Sequence, residues 1–363
     1  MTHNKSSLAT PAELHTFVGA ALRAADLPAG DAEAIASLMV QADMQGSDGH
    51  GVIRLSQYVK RIEAGGINRV PKIRMVSDRP AMAVIDGDNG MGHLVVTAAT
   101  KLAIEKARET GVAWVGTRNS NHAGPASLYA RMAVEQKMIA LYFAVGNANH
   151  MPPWGGTDLL LSTNPIAVAI PTKDEVDVVL DMASTATAYG KVKAKAKRGE
   201  LMPEGWMMDR SGRPLVDPTK SDEGFLLPIG GHKGYGLALV IGILAGTLNG
   251  AAMGKQVVDF NKDSSTRTNT GQSIVVLDVN AFADLEDFTR AIDTLIGDLR
   301  NSAKLPGVDR IWMPGEQSAI KRERFRAGGI PISNGVLRDL DLLADQLSIG
   351  RLKTFSTATT GVL

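Results

Sequence analysis

The chain contains no cysteine among its 363 residues. That excludes disulfides, thiolate catalysis and cysteine metal sites, and it fits a reducing cytoplasm. Charge of one sign is also missing. With 39 basic and 38 acidic residues the net charge is +1, so no global field draws the protein to nucleic acid or an anionic membrane. The first 30 residues lack the charged and apolar blocks of a signal peptide. Long hydrophobic runs are absent too. The most apolar one, Leu237 to Leu248, is well short of the roughly 20 residues that span a bilayer, so a buried core helix is expected there. No H-x-x-x-H pair, G-x-S-x-G elbow or internal repeat is found, and His50, His93, His122, His150 and His232 are scattered. No metal site is expected.

What is present is a long chain with alternating helix and strand signals. Its length suggests about two or three domains. Helices are expected over about 11–25, 31–44 and 49–64, the first opened by a capping box at Thr10 and Glu13 with Pro11 at its first position. A mixed region follows. It has strands at 81–86, 112–117, 138–145, 159–171, 176–181 and 273–279, and helices at 93–110, 124–136, 234–249 and 285–301. Residues 191–221 read as a long excursion, and Lys191, Lys193, Lys195, Lys197 and Arg198 as a solvated charge run. The tail from Ser318 is helical again, interrupted near Pro331. The units expected are 1–75, 76–280 and 281–363.

Asp48-Gly49-His50-Gly51 is followed by Arg54. On a helix capped by Asp48 and stopped by Gly65-Gly66, His50, Arg54, Tyr58 and Arg61 share the face opposite Val52, Leu55, Val59 and Ile62. An imidazole moves a proton near pH 7, and a guanidinium holds a carboxylate with two hydrogen bonds. An enzyme acting on the carbon beside a carboxylate needs both. The alternative is a solvated basic helix face.

Other segments are individually ambiguous. Gly87 to Gly92 follows a strand and precedes a helix, but its spacing is G-x-x-G-x-G, so a structural turn is favoured over a phosphate cradle. Ser120-Asn121-His122-Ala123-Gly124-Pro125 precedes a helix whose N–H groups can bind a diphosphate; His122 alone is as well read as a loop histidine. Asp181, at a strand exit, reads either as a catalytic carboxylate or as an N-cap. Gly230-Gly231-His232-Lys233-Gly234 has the close-approach glycines of a ligand loop. Met313-Pro314-Gly315-Glu316 fits a type II turn.

In this order, and at these separations, the segments resemble the malate/L-lactate dehydrogenase-like family of NAD(P)-dependent oxidoreductases. The resemblance runs from about residue 11 to about 350. It rests on Ala42-Asp43, Asp48-x-His50-Gly51-x-x-Arg54, Gly65-Gly66-Ile67-Asn68, Ser120-Asn121-His122, Trp154-Gly155-Gly156 and Thr163-Asn164-Pro165. It continues through Asp181-Met182-Ala183, Gly190-Lys191, Pro203-Glu204-Gly205-Trp206, Gly230 to Gly236 and Pro314-Gly315-Glu316. It implies an α/β, non-Rossmann fold like that of L-sulfolactate dehydrogenase: a large mixed, mainly antiparallel sheet and a helical domain built from both chain ends. It also implies a homodimer, NAD(H) or NADP(H) as cofactor, and a small carboxylate substrate.

Carried over residue by residue, the resemblance makes His50 the proton donor and base, with Asp181 and His122 beside it in the catalytic site. Arg54, Met182, Ala183, His232 and Lys233 would bind substrate. Ala123, Gly124, Pro125, Ala126, Ser127, Thr163, Tyr189 and Gly190 would contact the cofactor. Trp312, Met313, Pro314, Gly315, Glu316, Gln317 and Ser318 would complete that site. The chain departs from the family at Gly49, where serine is commonest, at Ser162 for a frequent glycine, and at Tyr189 for an arginine or histidine. The expected reaction is hydride transfer at C2 of a 2-oxo or 2-hydroxy acid. The alternatives are reduction of a cyclic imine carboxylate and a non-catalytic protein that binds NAD(P) or a small acid.

Overall fold

The computed structural model describes residues 7–47 and 49–356. A short strand, β1 (Ser7–Ala9), leads into three helices: α1 (Pro11–Ala24), α2 (Ala29–Met44) and α3 (Leu55–Glu63). The α1 capping box is formed. Thr10 Oγ1 accepts the Glu13 N–H at 3.1 Å, and the Glu13 carboxylate accepts the Thr10 N–H at 3.2 Å. Such a cap contributes about 1 kcal/mol.

The sheet comes next. It contains β2 (Arg74–Arg79), β3 (Met82–Asp86), β4 (Val112–Ser120), β5 (Met138–Ala144), β6 (Ile166–Ile170) and β7 (Val178–Met182). Helix α4 (Gly92–Thr110) connects β3 to β4, and α5 (Ser127–Val134) connects β4 to β5. The chain then makes α6 (Tyr189–Arg198), a hairpin of β8 (Met207–Asp209) and β9 (Gly224–Leu226), and α7 (His232–Ala245). Strand β10 (Thr270–Asp278) returns to the sheet centre. The seven strands lie in the order β2-β3-β4-β10-β5-β6-β7, and every pair but β3–β4 is antiparallel. Helices α8 (Leu285–Asn301) and α9 (Glu316–Gly328), strand β11 (Ile330–Ile332) and α10 (Asn334–Leu347) complete the described chain.

Two apolar cores hold these layers. One joins Leu14, Ile35, Met39, Leu55 and Val59 from the first helices to Phe325, Ile330, Leu340 and Leu343 from the last. Strand β1 pairs antiparallel with β11, so both chain ends close the same layer. The other core lies under the sheet, where Val95, Ala99 and Tyr129 of α4 and α5 meet Val115, Ala140 and Ile274. Gly87 packs against Val95, and Gly92 against the Asn121–His122 backbone, so the Gly87–Gly92 turn is filled by protein atoms.

Several expectations are corrected. The helix expected from residue 49 starts later: His50 lies in a turn, Val52–Arg54 forms one 3-10 turn, and α3 begins at Leu55. The N-cap expected at Asp48 falls outside the described residues. The carboxylate that receives a free N–H here is Asp43, which takes that of Val52 at 2.8 Å. Tyr58 and Arg61, placed by pattern on a polar face, are both buried. The Leu237–Leu248 helix is not buried all round, because Leu239, Val240 and Ile243 are 36%, 52% and 45% exposed. The strand expected over 159–171 is confined to β6, because Asn164 takes φ 20° and Pro165 has no N–H to give a ladder. The helix expected from Gly124 waits until Ser127, since Gly124 itself has φ +76°. The excursion at 191–221 contains α6, so the charge run is helical. The wholly exposed edge strand β2 carried no apolar alternation to announce it.

Candidate active site

The His50 turn is held from below. A Cβ at residue 51 would overlap the Asp43 carboxylate, so Gly51 lets the chain turn close over it. Asp43 is buried in α2 and receives the Val52 N–H. Arg54 then folds back across the turn. Its Nε donates to the Gly49 carbonyl at 2.8 Å, and Nη1 donates to Gln57 Oε1 and Asn261 Oδ1, each at 3.1 Å.

The second histidine arrives from the loop after β4. His122 Nε2 lies 3.2 Å from His50 Nδ1, and the rings stack with centroids 5.3 Å apart and planes 9° apart. Tyr58 reaches His122 from α3, with its hydroxyl 2.5 Å from Nδ1, and the Gly124 N–H approaches the same nitrogen at 3.4 Å. Two donors on Nδ1 make it the unprotonated nitrogen. His122 then keeps its proton on Nε2 and donates it to His50 Nδ1, which leaves the His50 proton on Nε2. This tautomer set is assigned from the network.

Burial governs the electrostatics. It lowers His50 to about 4, with the Arg54 charge adding to the effect. His122 is pushed well below the usual histidine range by burial first, then by His50, Arg54 and His93. Burial raises the Tyr58 hydroxyl, against the pull of Arg54. All three groups are therefore neutral near pH 7. Arg61, behind them, is lowered by burial but donates to the carbonyls of Asp263 and Thr266 and lies 4.8 Å from the Phe260 ring centre.

Other residues expected at the site are scattered around this centre. Asp181, at the end of β7, accepts the Ser127 N–H at 2.9 Å. Its carboxyl is raised by burial, with the Ser127 bonds opposing. That N–H was expected at a cofactor diphosphate and is instead held by Asp181. Met182 and Ala183 follow on half-buried positions. The Thr163 carbonyl accepts from the Ser184 N–H and hydroxyl at 2.9 and 2.8 Å, tying its loop to the β7 exit.

The late loop is a formed turn: the Glu316 N–H donates to the Met313 carbonyl at 3.1 Å, and Gly315 has φ +90° as a type II turn requires. The Val179 N–H donates to Pro314 O at 3.0 Å. Glu316 was expected to touch the cofactor. It is buried, and its carboxylate takes the Met313 N–H and pairs with Arg300 and Arg310, so it shapes the loop. Trp312 and Gln317 are exposed.

Tyr189 stacks on His150 at 4.3 Å and donates to Asp222 at 3.2 Å. His232 and Lys233 open α7 as exposed residues, His232 edge-on to Trp154 at 6.2 Å, and no hydrogen bond among the described residues joins them to the histidine pair. Sequence reasoning gave no role to Tyr58, Asn261 or His93. Only Tyr58 left a signal, its four-residue spacing from Arg54.

The matching family model, described as malate/L-lactate dehydrogenase, covers residues 9–341. The chain belongs to this family. The malate dehydrogenase of Pyrococcus horikoshii is 39% identical over 350 residues, covering 93% of this chain and 94% of that protein. The L-sulfolactate dehydrogenase of Methanocaldococcus jannaschii is 36% identical over 323 residues, covering 89% and 92%. The crystal structure of the malate dehydrogenase of Entamoeba histolytica superposes with a TM-score of 0.91 at 26% identity, covering 95% of this chain and 99% of that one. This member of the malate/L-lactate dehydrogenase family is an oxidoreductase, and its mixed seven-stranded sheet is the family's fold.

Family membership implies a nicotinamide cofactor. One feature beside the Gly124 turn suits such a group. His93 is fully buried, both its ring nitrogens lack a partner among the described residues, and Nε2 lies 3.3 Å from where a Gly124 Cβ would stand. Buried polar atoms left unpaired are rare and call for a partner.

Proposed function

We propose that the protein transfers hydride between NAD(P)H and C2 of a small 2-oxo or 2-hydroxy acid. The observation that carries this reading is the His50–His122–Tyr58 chain ending one short turn from Arg54. Arg54 binds the substrate carboxylate by charge-assisted hydrogen bonds. Its backbone anchor at Gly49 fixes the guanidinium relative to the imidazole four residues earlier. The bound nicotinamide supplies or receives the hydride.

Protonated once the acid sits on Arg54, His50 gives its Nε2 proton to the oxygen on C2 during reduction and is left neutral, and the neutral ring takes a proton back at Nε2 during oxidation. When His50 is protonated its Nδ1–H donates to His122 Nε2, and His122 carries its own proton on Nδ1 toward the Tyr58 oxygen, so the network keeps Nε2 of His50 turned to the substrate. A carboxylate on Arg54 cancels the positive charge that lowers His50, so His50 binds a proton more readily with the acid in place. Asp181 orders the start of α5 beside the site. The loop from Ala123 to Ser127 and the loop from Trp312 to Ser318 flank the cofactor, which is either NAD(H) or NADP(H).

Two further readings complete the proposal. The protein works as a homodimer, for which the exposed Leu239, Val240 and Ile243 of α7 supply an apolar face. The cysteine-free chain works in the cytoplasm. No helix among the described residues is long and apolar enough to cross a membrane.

The test is loss of reduced-nicotinamide absorbance with NADH and with NADPH over a panel of 2-oxo acids and cyclic imine carboxylates. Turnover of an oxo acid supports the reading. Turnover of imines alone would transfer the same residues to amine chemistry, and binding without turnover on any member would leave a sensor.

A further inference from the structure

Arg54 stands in the site with most of its hydrogen bonds already made. A guanidinium has one N–H on Nε and two each on Nη1 and Nη2. Nε donates to the Gly49 carbonyl at 2.8 Å. Nη1 has two acceptors, Gln57 Oε1 and Asn261 Oδ1, each at 3.1 Å. Nη2 alone of the three has no acceptor among the described residues. A carboxylate held by two parallel bonds takes one hydrogen from each of two nitrogens of the fork. Each such edge of Arg54 therefore has one nitrogen already engaged.

A substrate carboxylate gains a two-bond grip only by displacing one of these acceptors, and their supports decide which one leaves. The Gly49 carbonyl belongs to the main chain. Gln57 is held at its other end, where Nε2 donates to Phe260 O at 2.8 Å. Asn261 is exposed, and its side chain makes no second hydrogen bond among the described residues. The backbone under it is fixed. The Phe260 N–H donates to Asn147 O at 2.9 Å, the Asn261 N–H donates to Asp259 Oδ1 at 2.9 Å, and Arg61 holds the Asp263 and Thr266 carbonyls. The Asn261 side chain can therefore swing away without the loop opening. It also has room to do so, because with Ser56, Gln57, Lys60 and Ser264 it lines an open hollow of about 360 Å³. This loop borders the histidine pair, with the Phe260 ring centre 5.5 Å from that of His122.

We propose that Asn261 is a place-holder for the substrate carboxylate: its amide oxygen occupies Nη1 of Arg54 in the empty site and yields to one carboxylate oxygen, while Nη2 takes the other. This deepens the carboxylate role proposed for Arg54 above and rests on it. A carboxylate is the stronger acceptor for a guanidinium and a neutral amide the weaker, so the exchange runs toward the acid. The bonds to Gly49 and Gln57 stay, so the guanidinium keeps its aim when Asn261 has gone. Asn261 thus sets substrate affinity as a competitor, and it returns to Nη1 as product leaves.

Asn261→Ala, Asn261→Asp and Arg54→Lys are compared with the wild type in KM and kcat for 2-oxo acids. Thermal melts with oxamate, a carboxylate whose C2 amide resists reduction, run beside them with and without reduced cofactor. Removing the competitor in Asn261→Ala should lower KM about threefold to tenfold, the worth of one hydrogen bond, and enlarge the oxamate shift. The aspartate of Asn261→Asp would pair with Arg54 and should raise KM about tenfold or more and remove the oxamate shift. Opposite movement of the two variants supports the place-holder, because a direct contact with substrate or a purely structural role would raise KM in both. A KM for Asn261→Ala at or above that of the wild type, beside a raised KM in Arg54→Lys, overturns the place-holder and keeps Arg54 as the anchor. A KM unmoved in both removes the anchor and the place-holder with it. If the wild type turns over no 2-oxo acid, the proposed function fails and the melts decide. A larger oxamate shift in Asn261→Ala with none in Asn261→Asp then supports the place-holder, and any other pattern overturns it.

Discussion

Helix α3 turns polar side chains inward, and helix α7 turns apolar ones outward. Tyr58 and Arg61 are buried in α3, whereas Leu239, Val240 and Ile243 of α7 meet solvent in the single chain. Hydrophobic patterning alone would have reversed both assignments. The inward polar groups are tolerable because they have partners: Tyr58 reaches His122, and Arg61 reaches carbonyls of the 263–266 loop. The outward apolar groups have no such compensation within the chain, which is why a second copy is proposed to cover them. One helix lines the candidate site and the other carries the face proposed as an interface.

The inward side of the comparison should give the largest effect. His50→Ala or His50→Gln is expected to cut turnover by about 10²–10⁴-fold, with fold and cofactor affinity retained. A loss below tenfold at saturating substrate would remove His50 from the proton step.

On the outward side, Val240→Glu should weaken dimerisation by about 10²-fold or more, the order expected for an unpaired charge in an apolar contact. Sedimentation velocity reads this directly. A variant that keeps the wild-type assembly would mean that α7 faces water in the working protein.

Arg54→Lys comes third. A point charge cannot reproduce the fork geometry, so KM for the acid should rise about tenfold to a hundredfold, and cofactor affinity should hardly move. Equal weakening of both ligands would show that Arg54 is not the carboxylate anchor.

A pH series sharpens the inward side further. His50 and His93 sit at about 4 and about 3 in the folded chain, against 6.5 ordinarily. Below 6.5 the unfolded chain therefore takes up protons that the folded one refuses. Stability should be level above about pH 7 and fall progressively as pH drops from about 6.5 toward 4. Urea midpoints across that range measure it, and His93→Gln should flatten the slope. A midpoint that rises on acidification from 6.5 to 5 would contradict the buried, neutral histidines.

The smallest effect is expected at Gly49→Ser. A Cβ at Gly49 meets no described atom within 4 Å. Turnover should stay within about threefold of wild type. A drop beyond about 30-fold, roughly 2 kcal/mol, would make the glycine a specificity determinant.

The sequence made α1, α2 and α8 legible because their signals are local. Thr10, Pro11 and Glu13 cap the first, and the expected 285–301 coincides with α8. It could not show the direction in which α3 faces, because the partners of Arg61 lie about 200 residues away. It hid β2 because an exposed edge strand needs no alternation. It read Lys191 to Arg198 as a solvated charge run within a long excursion and so missed helix α6, although alanine and lysine are both good helix formers. At the site, His50 and Arg54 were found by spacing and family resemblance together. The contact of His50 with His122, 72 residues apart, has no local trace. The pairing of Glu316 with Arg300 and Arg310 was hidden for the same reason, since those arginines sit on other segments.

The pairing of β1 with β11 has a consequence for biosynthesis. His50 is translated early, but the layer that steadies its turn is closed by Ile330–Ile332 and α10, among the last described residues to leave the ribosome. Every strand of the seven-stranded sheet emerges before then, because β10 ends at Asp278. The expected order of maturation is sheet first and the His50 turn last. A chain released at residue 329 should show sheet-like amide protection in hydrogen exchange but no protection over α1 to α3, so prematurely terminated copies would be inert rather than partly active.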